Sequence, residues 1–221
     1  MPTKNINLPT QIDLDHFISI QAHDLRTPFN HIIGFSKMTL NTVGDAPLTS
    51  YQKEDLNTIY RSGLRALSLI NGLIDIARLN RHEKELKLAD TDLQQMLDQS
   101  LAQWKKVNPG YDVQLEARVL TSSTSIHADD QLVRQIIAGF ITYVAQYCEV
   151  KQNITLTVEE TPADFIFSFA SSGTRSRMPS GLDLEMLGYV NRAFVELHSG
   201  KILSAEENDE GAVVKFALPK I

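Results

Sequence analysis

The residues best suited to chemistry are His23 and Asp24, which open the run His23-Asp24-Leu25-Arg26-Thr27-Pro28. A neutral imidazole nitrogen is a nucleophile near neutral pH, and its two nitrogens can be given different jobs. A carboxylate next in sequence can orient the ring and stabilise the positive charge that develops on attack. Such a pair needs an element that holds it outward. Apolar residues at Leu14, Phe17/Ile18, Leu25, Phe29, Ile32/Ile33 and Leu40 keep a helical spacing and leave His23 and Asp24 on the flank. The spacing predicts a helix from about Leu14 to Thr42, with Pro28 removing one backbone hydrogen bond just after the pair. The plain alternative is an exposed helix histidine with no role. His16 and His31 lie near the same face and read as solvated surface residues.

The bulk of the chain sets bounds on what this pair can serve. The 221 residues carry a net charge of −6 with acidic and basic residues interspersed, which argues against nucleic acid as a partner. A lone cysteine, Cys148, excludes an internal disulfide and leaves no cysteine–histidine metal spacing. No run of 18 apolar residues is present, so no membrane span is expected, and Met1 to Thr10 lack the apolar centre of a signal peptide. A cytoplasmic protein is expected, with no room for an input module before residue 12.

After the turn from Asn41 to Pro47, a second helix is predicted from about Ser50 to Leu79, capped by Thr49, Ser50 or a neighbour. Leu56, Ile59/Tyr60, Gly63, Leu67, Ile70, Leu73/Ile74 and Ala77 form its heptad-like seam. Two helices joined by a short loop form an antiparallel hairpin with one uncovered face. Either a second copy completes a four-helix bundle, or the face packs on the C-terminal half of the same chain. Residues Arg81 to Asp90 read as a charged linker. Beyond them come an Asp92-capped helix and a strand at Asp112 to Ala117. A buried helix at Gln131 to Cys148 precedes strands at Asn153 to Glu159 and Asp164 to Phe169, and a loop at Ala170 to Ser180. A helix at Leu182 to His198 and strands at Lys201 to Ala205 and Ala212 to Leu218 complete the chain. The expected class is α+β: a helical hairpin, then an α/β sandwich with helices on one face of the sheet. The domain boundaries fall at 12–82 and 88–221.

The run His23 to Pro28, with Phe17 and Ile32-Ile33-Gly34-Phe35 around it, resembles the phosphoacceptor box of two-component sensor histidine kinases, H-[ED]-L-R-T-P. Leu56 to Leu79 resembles the partner helix of their dimerisation domain. Leu93 to Leu101, Ala128-Asp129 through Tyr147, Phe194 to Ile202 and Gly211 to Pro219 resemble stretches of their ATP-binding domain. The resemblance covers nearly the whole chain from residue 12. It implies that His23 is the phosphoacceptor, Asp24 its helper base, and Thr27 a residue that places water for dephosphorylating a receiver domain.

The nucleotide half departs from the pattern. Asp129 and Gln135 match the lead-in to the family's asparagine box, but its two asparagines become Gly139 and Tyr143, and its lysine becomes Gln146. The second asparagine normally holds magnesium, and a tyrosine hydroxyl is an indifferent ligand for that hard cation. In the D-x-G-x-G box this chain reads Ser171-Ser172-Gly173-Thr174-Arg175, so the adenine-binding aspartate is a serine and the second glycine an arginine. The loop that covers ATP shrinks to about seven residues before Gly181, and Asp183 in the next helical turn would repel phosphate. Misalignment could explain the last box, because the helix there can slide by a turn. It does not restore the asparagine, since Asn108 is the one asparagine between Thr91 and Ala145.

The expected function is therefore a dimeric histidine phosphotransferase. It would exchange phosphoryl groups with response-regulator receiver domains, using magnesium supplied by the receiver and no ATP or metal of its own. The residual nucleotide site would lie near Tyr143, Ser171, Gly173 and Gly181. Two alternatives stand beside it: a histidine kinase with an atypical ATP site that autophosphorylates His23, and a non-catalytic regulator that dimerises with a true kinase.

Overall fold

The computed structural model describes residues 4–5, 11–12, 27–28, 30–32, 34–35, 38–39, 49–80, 85–108, 113–175, 182–208 and 211–220. The chain divides into two units, Ile12–Arg81 and the remainder, Met1–Gln11 with His82–Ile221.

The first unit is helical. Thr27, Pro28, Asn30 to Ile32, Gly34, Phe35, Met38 and Thr39 are all helical. Pro28 and Thr39 are buried, with Ile32 and Phe35 half-buried between them, which makes one inward stripe at helical spacing. The helix α1, Ser50–Asn80, follows over 31 residues. A reciprocal capping box starts it: the Thr49 N–H donates to Gln52 Oε1 at 2.7 Å, and the Gln52 N–H donates to Thr49 Oγ1 at 3.3 Å. The two helical stretches meet where Gly63 faces the Ile32 side chain, at a distance a Cβ would bridge in ordinary van der Waals contact. Not every seam residue turns inward. Leu56 is 39% exposed, while Gln52, Ala66, Asp75 and Ile76, which lie off the expected seam, are buried.

In the second unit a six-stranded sheet runs in the order β1-β7-β8-β6-β5-β3. These strands are Lys4–Asn5, Lys201–Asn208, Gly211–Pro219, Asp164–Arg175, Cys148–Glu160 and Val113–Leu120 respectively. All neighbours are antiparallel except β3 and β5, whose parallel pairing needs the crossover that contains a helix. A two-stranded ribbon, β2 (Ala89–Asp92) with β4 (Ser125–Ala128), stands apart from it. Three helices, α2 (Leu93–Val107), α3 (Asp130–Ala145) and α4 (Leu182–Leu197), cover one face. Helix α2 lies by β3, α3 lies centrally on β5, β6 and β8, and α4 lies on β7 and β8.

The strands explain the one-sided cover. Ile154, Leu156 and Val158, then Phe165, Phe167 and Phe169, then Val214, Phe216 and Leu218 alternate with more polar residues and bury one face. Phe167 stacks on Phe216 with centroids 4.8 Å apart, and Phe140 of α3 lies on Phe216 at 5.4 Å and on Phe169 at 5.6 Å. Burying these rings is the main driving force for the unit.

Several segments differ from the sequence reading. Ala89 and Asp90, read as linker, belong to β2, because their partner is the unpredicted strand β4. The loop expected from Ala170 is strand as far as Arg175, since its backbone continues the ladder with β5. Helix α3 ends at Ala145, and Cys148 opens β5. The polar start contributes β1, paired with Glu206 and Glu207 of β7.

Candidate functional site

His23 and Asp24 lie outside the described residues, as does Gly181. Thr27 is on the helix and exposed, and Asn30, His31, Gly34 and Met38 are exposed on the same stretch. Positions 27, 31, 34 and 38 repeat at helical spacing, about 100° round the helix from the buried stripe of Pro28, Ile32, Phe35 and Thr39. The His31 ring leans on Phe35, with centroids 6.0 Å apart.

The residues aligned with the nucleotide boxes are engaged inside the fold. Tyr143 is 3% exposed, packs edge-on against Phe140, and accepts a hydrogen bond from the Tyr147 hydroxyl at 3.4 Å. Burial, reinforced by that hydroxyl, pushes its phenol well above the ordinary range, so it stays neutral. The Ser171 hydroxyl accepts from the Ala212 N–H at 3.0 Å, which ties it to β8 across the sheet. Its own proton points at the Ala212 carbonyl, 3.4 Å away. Gly211, beside it with φ 152°, has its missing Cβ against the Ser171 carbonyl. Gly173 is half-buried within β6, where it is part of a paired strand.

The residue that sequence reasoning missed is Asn191. It sits in α4, 2% exposed, and its amide crosses the face of Gly139 on α3 so closely that any Cβ at 139 would overlap it. Helices α3 and α4 are therefore interlocked at the position where the family's first asparagine would stand. The one hint in the sequence is a polar amide among Met186, Val190, Phe194 and Val195. The Asn191 Nδ2 has no hydrogen-bond partner among the described residues, and its contact with Gly139 is steric packing.

A second fastening joins the same two helices. Asp129 caps α3 by accepting from the Leu132 N–H at 3.0 Å, and it also takes the Lys87 N–H at 2.9 Å. Its own N–H donates to His198 Nε2 at 3.3 Å, while His198 Nδ1–H donates to the Phe194 carbonyl at 2.8 Å. The buried imidazole is thus held as the neutral Nδ1–H tautomer, with both nitrogens occupied. A nucleotide between α3 and α4 would have to displace Asn191 and then find neither an aspartate for its base nor an amide oxygen for its metal. The described residues at 139, 143 and 171 are not the two asparagines and the aspartate of the family's nucleotide boxes.

Among the described residues no three His, Cys, Asp or Glu side chains group to hold a metal ion, and no helix is long and apolar enough to cross a membrane.

Residues 13–82 match the His Kinase A (phospho-acceptor) domain. An uncharacterised sensor-like histidine kinase of Rhizobium meliloti (strain 1021) is 24% identical, over 92% of this chain and 42% of its own length. The chain spans less than half the length of the curated relatives it matches first. Two solved structures share the fold. Histidine kinase ThkA in complex with response regulator protein TrrA has a TM-score of 0.65 and 18% identity, over 94% of this chain and 62% of that one. Full-length ShkA in complex with AMPPNP has a TM-score of 0.59 and 22% identity, over 93% of this chain and 45% of that one. Phospho-acceptor domain, order of elements and fold agree: residues 13–82 belong to the His Kinase A family, the chain is similar to two-component sensor histidine kinases, and its second unit has a kinase-like ATPase fold.

Proposed function

We propose that this chain is a phosphorelay histidine phosphotransferase, active as a cytoplasmic homodimer, that exchanges phosphoryl groups with receiver-domain aspartates and does not use ATP. The His23 imidazole attacks the phosphorus of an aspartyl phosphate, the acyl P–O bond breaks, and the receiver's carboxylate leaves. Asp24 steadies the imidazolium, and the reverse step hands the group to a second receiver. Magnesium would come from the receiver. Thr27 lies four residues beyond His23 in sequence, one helical repeat, and is the candidate for placing water in dephosphorylation. The exposed side of its helix is open to a docking partner.

The observation that supports the ATP-independent part is the Asn191–Gly139 interlock, an amide of α4 packed on α3 where the family's first asparagine would stand. The test pairs two incubations of purified protein. Labelled ATP with magnesium is expected to leave it unlabelled, and calorimetry to detect no binding. A phosphorylated receiver domain is expected to label it, and to fail with His23→Ala. Stable label from ATP on His23 would overturn the proposal.

A second reading, autophosphorylation by ATP, is favoured by the names of the relatives, which are histidine kinases, and by the nucleotide analogue in the ShkA complex. The ATP incubation separates the two. Failure of both donors would favour a non-catalytic regulator.

A further inference from the structure

We infer that His127, paired with Asp90, is a second nucleophilic centre that accepts a phosphoryl group from small acyl phosphates. The β2–β4 ribbon puts Asp90 directly opposite His127 in the cross-strand register. Ile126 and Ala128 turn to the buried face, so the pair is held on the solvent face by backbone pairing. His127 Nδ1 lies 2.7 Å from Asp90 Oδ1. An ionised carboxylate has no proton to give, so the ring nitrogen donates, and the lone pair resides on Nε2. The imidazole is 36% exposed, and no partner for Nε2 is present among the described residues.

The other described histidines lack this arrangement. His198 is buried with both nitrogens engaged, and among the described residues His31 is set against the Phe35 ring and no carboxylate. The neighbouring Asp92 carboxylate is committed to the Gln95 N–H at 2.7 Å, which leaves Asp90 as the group that orients the ring. The chemistry matches that assigned to His23 and Asp24, a nucleophilic nitrogen steadied by a carboxylate, but it sits on a rigid ribbon in the other unit and does not depend on the reading of His23. Nε2 attacks phosphorus, the P–O bond to the acyl group breaks, and the carboxylate leaves. The imidazolium formed is stabilised by Asp90 through Nδ1–H until that proton passes to solvent.

The test uses the full-length His23→Ala protein with radiolabelled acetyl phosphate as the probe. It is expected to acquire acid-labile, alkali-stable label that mass spectrometry maps to His127. Adding His127→Gln removes the label, and adding Asp90→Asn slows it by about tenfold, with the circular dichroism of both unchanged. Absence of label in His23→Ala, label on another residue, or an undiminished rate in Asp90→Asn would overturn the proposal. If His127→Gln unfolds, the Asp90→Asn rate and the mapped position decide.

Discussion

The two units divide core and chemistry unequally. Among the described residues the second unit has the larger core: Phe140, Phe167, Phe169, Phe194 and Phe216 are fully buried, and α3 and α4 are fastened to each other twice. Yet the residues that would bind a nucleotide there are replaced or engaged. Described burial in the helical unit is sparser and partly polar, with Thr39, Gln52 and Asp75 inside, while Met38, Tyr51 and Leu56 remain exposed. That unit contains the phospho-acceptor match. A fold is held by its apolar face and by the pairing of its strands, and neither depends on the few polar residues that recognise a ligand. The ATPase-type body can therefore carry different residues at 139, 143, 171 and 175 and keep its architecture.

The sharpest way to break this comparison is to injure one unit and watch the other. Phe216→Ala removes the ring on which Phe140, Phe167 and Phe169 stack, at an expected cost of about 3–5 kcal/mol. Trp104, the one tryptophan, is buried in the second unit, so its fluorescence reports that unit alone. The fluorescence midpoint in urea should fall sharply in the variant, while receiver-dependent labelling of His23 persists below the transition. Loss of labelling in step with the fluorescence would show that the hairpin depends on the body.

A smaller effect tests the interlock. Gly139→Ala places a methyl group into the Asn191 amide and should cost about 1–3 kcal/mol through overpacking. Asn191→Ala should restore much of that loss in the double variant, giving a coupling that independent sites would not show. Neither variant should gain ATP binding, because Tyr143 and Ser171 remain as they are. A calorimetric signal for ATP in Asn191→Ala would mean that the amide alone had closed the site.

What the sequence made legible follows the same division. The helical period over Ser50 to Leu79, the alternation over Asn153 to Glu159 and Asp164 to Phe169, and the caps at Thr49 and Asp92 are local signals, and the elements stand where those signals put them. Strands β1, β2 and β4 are two to four residues long, and their pairing partners are remote, so no local pattern marks them. The serine-rich stretch from Ala170 to Arg175 read as loop because its residues suit turns, yet it is held as strand by neighbours on both sides at Ala170 and by β5 beyond. The losses at 139, 143, 171 and 175 were visible as substitutions. What filled the space was not, because Gly139 and Asn191 are 52 positions apart and their meeting is a property of two packed helices.

The hairpin has its own local device, and Thr49→Ala tests it. Removing the hydroxyl that accepts the Gln52 N–H should cost about 1 kcal/mol of helix stability. Measured as loss of far-ultraviolet ellipticity with heating, the change should leave the Trp104 signal in place. A shift of equal size in both probes would mean that the two units melt as one.

The smallest expected effect belongs to the body, and pH reads it. The Glu160 carboxylate accepts from Lys220 Nζ at 2.8 Å, from the Ser122 hydroxyl, from Ser123 Oγ at 2.7 Å and from the Ser122 N–H at 2.7 Å. These donors, Lys220 foremost, hold it far below the usual carboxylate range. A carboxylate whose folded pKa is depressed stabilises the fold above its unfolded pKa and loses that contribution as pH falls toward the folded value. The Trp104 midpoint should therefore decline from about pH 5 downward, and Glu160→Gln should flatten that decline while lowering the midpoint at neutral pH. Glu160 is 16% exposed, so solvent screens the pair and the change should be modest. The hairpin's ellipticity should not follow Glu160→Gln at any pH, because the staple joins β5, the loop after β3 and the C-terminal Lys220, all within the second unit.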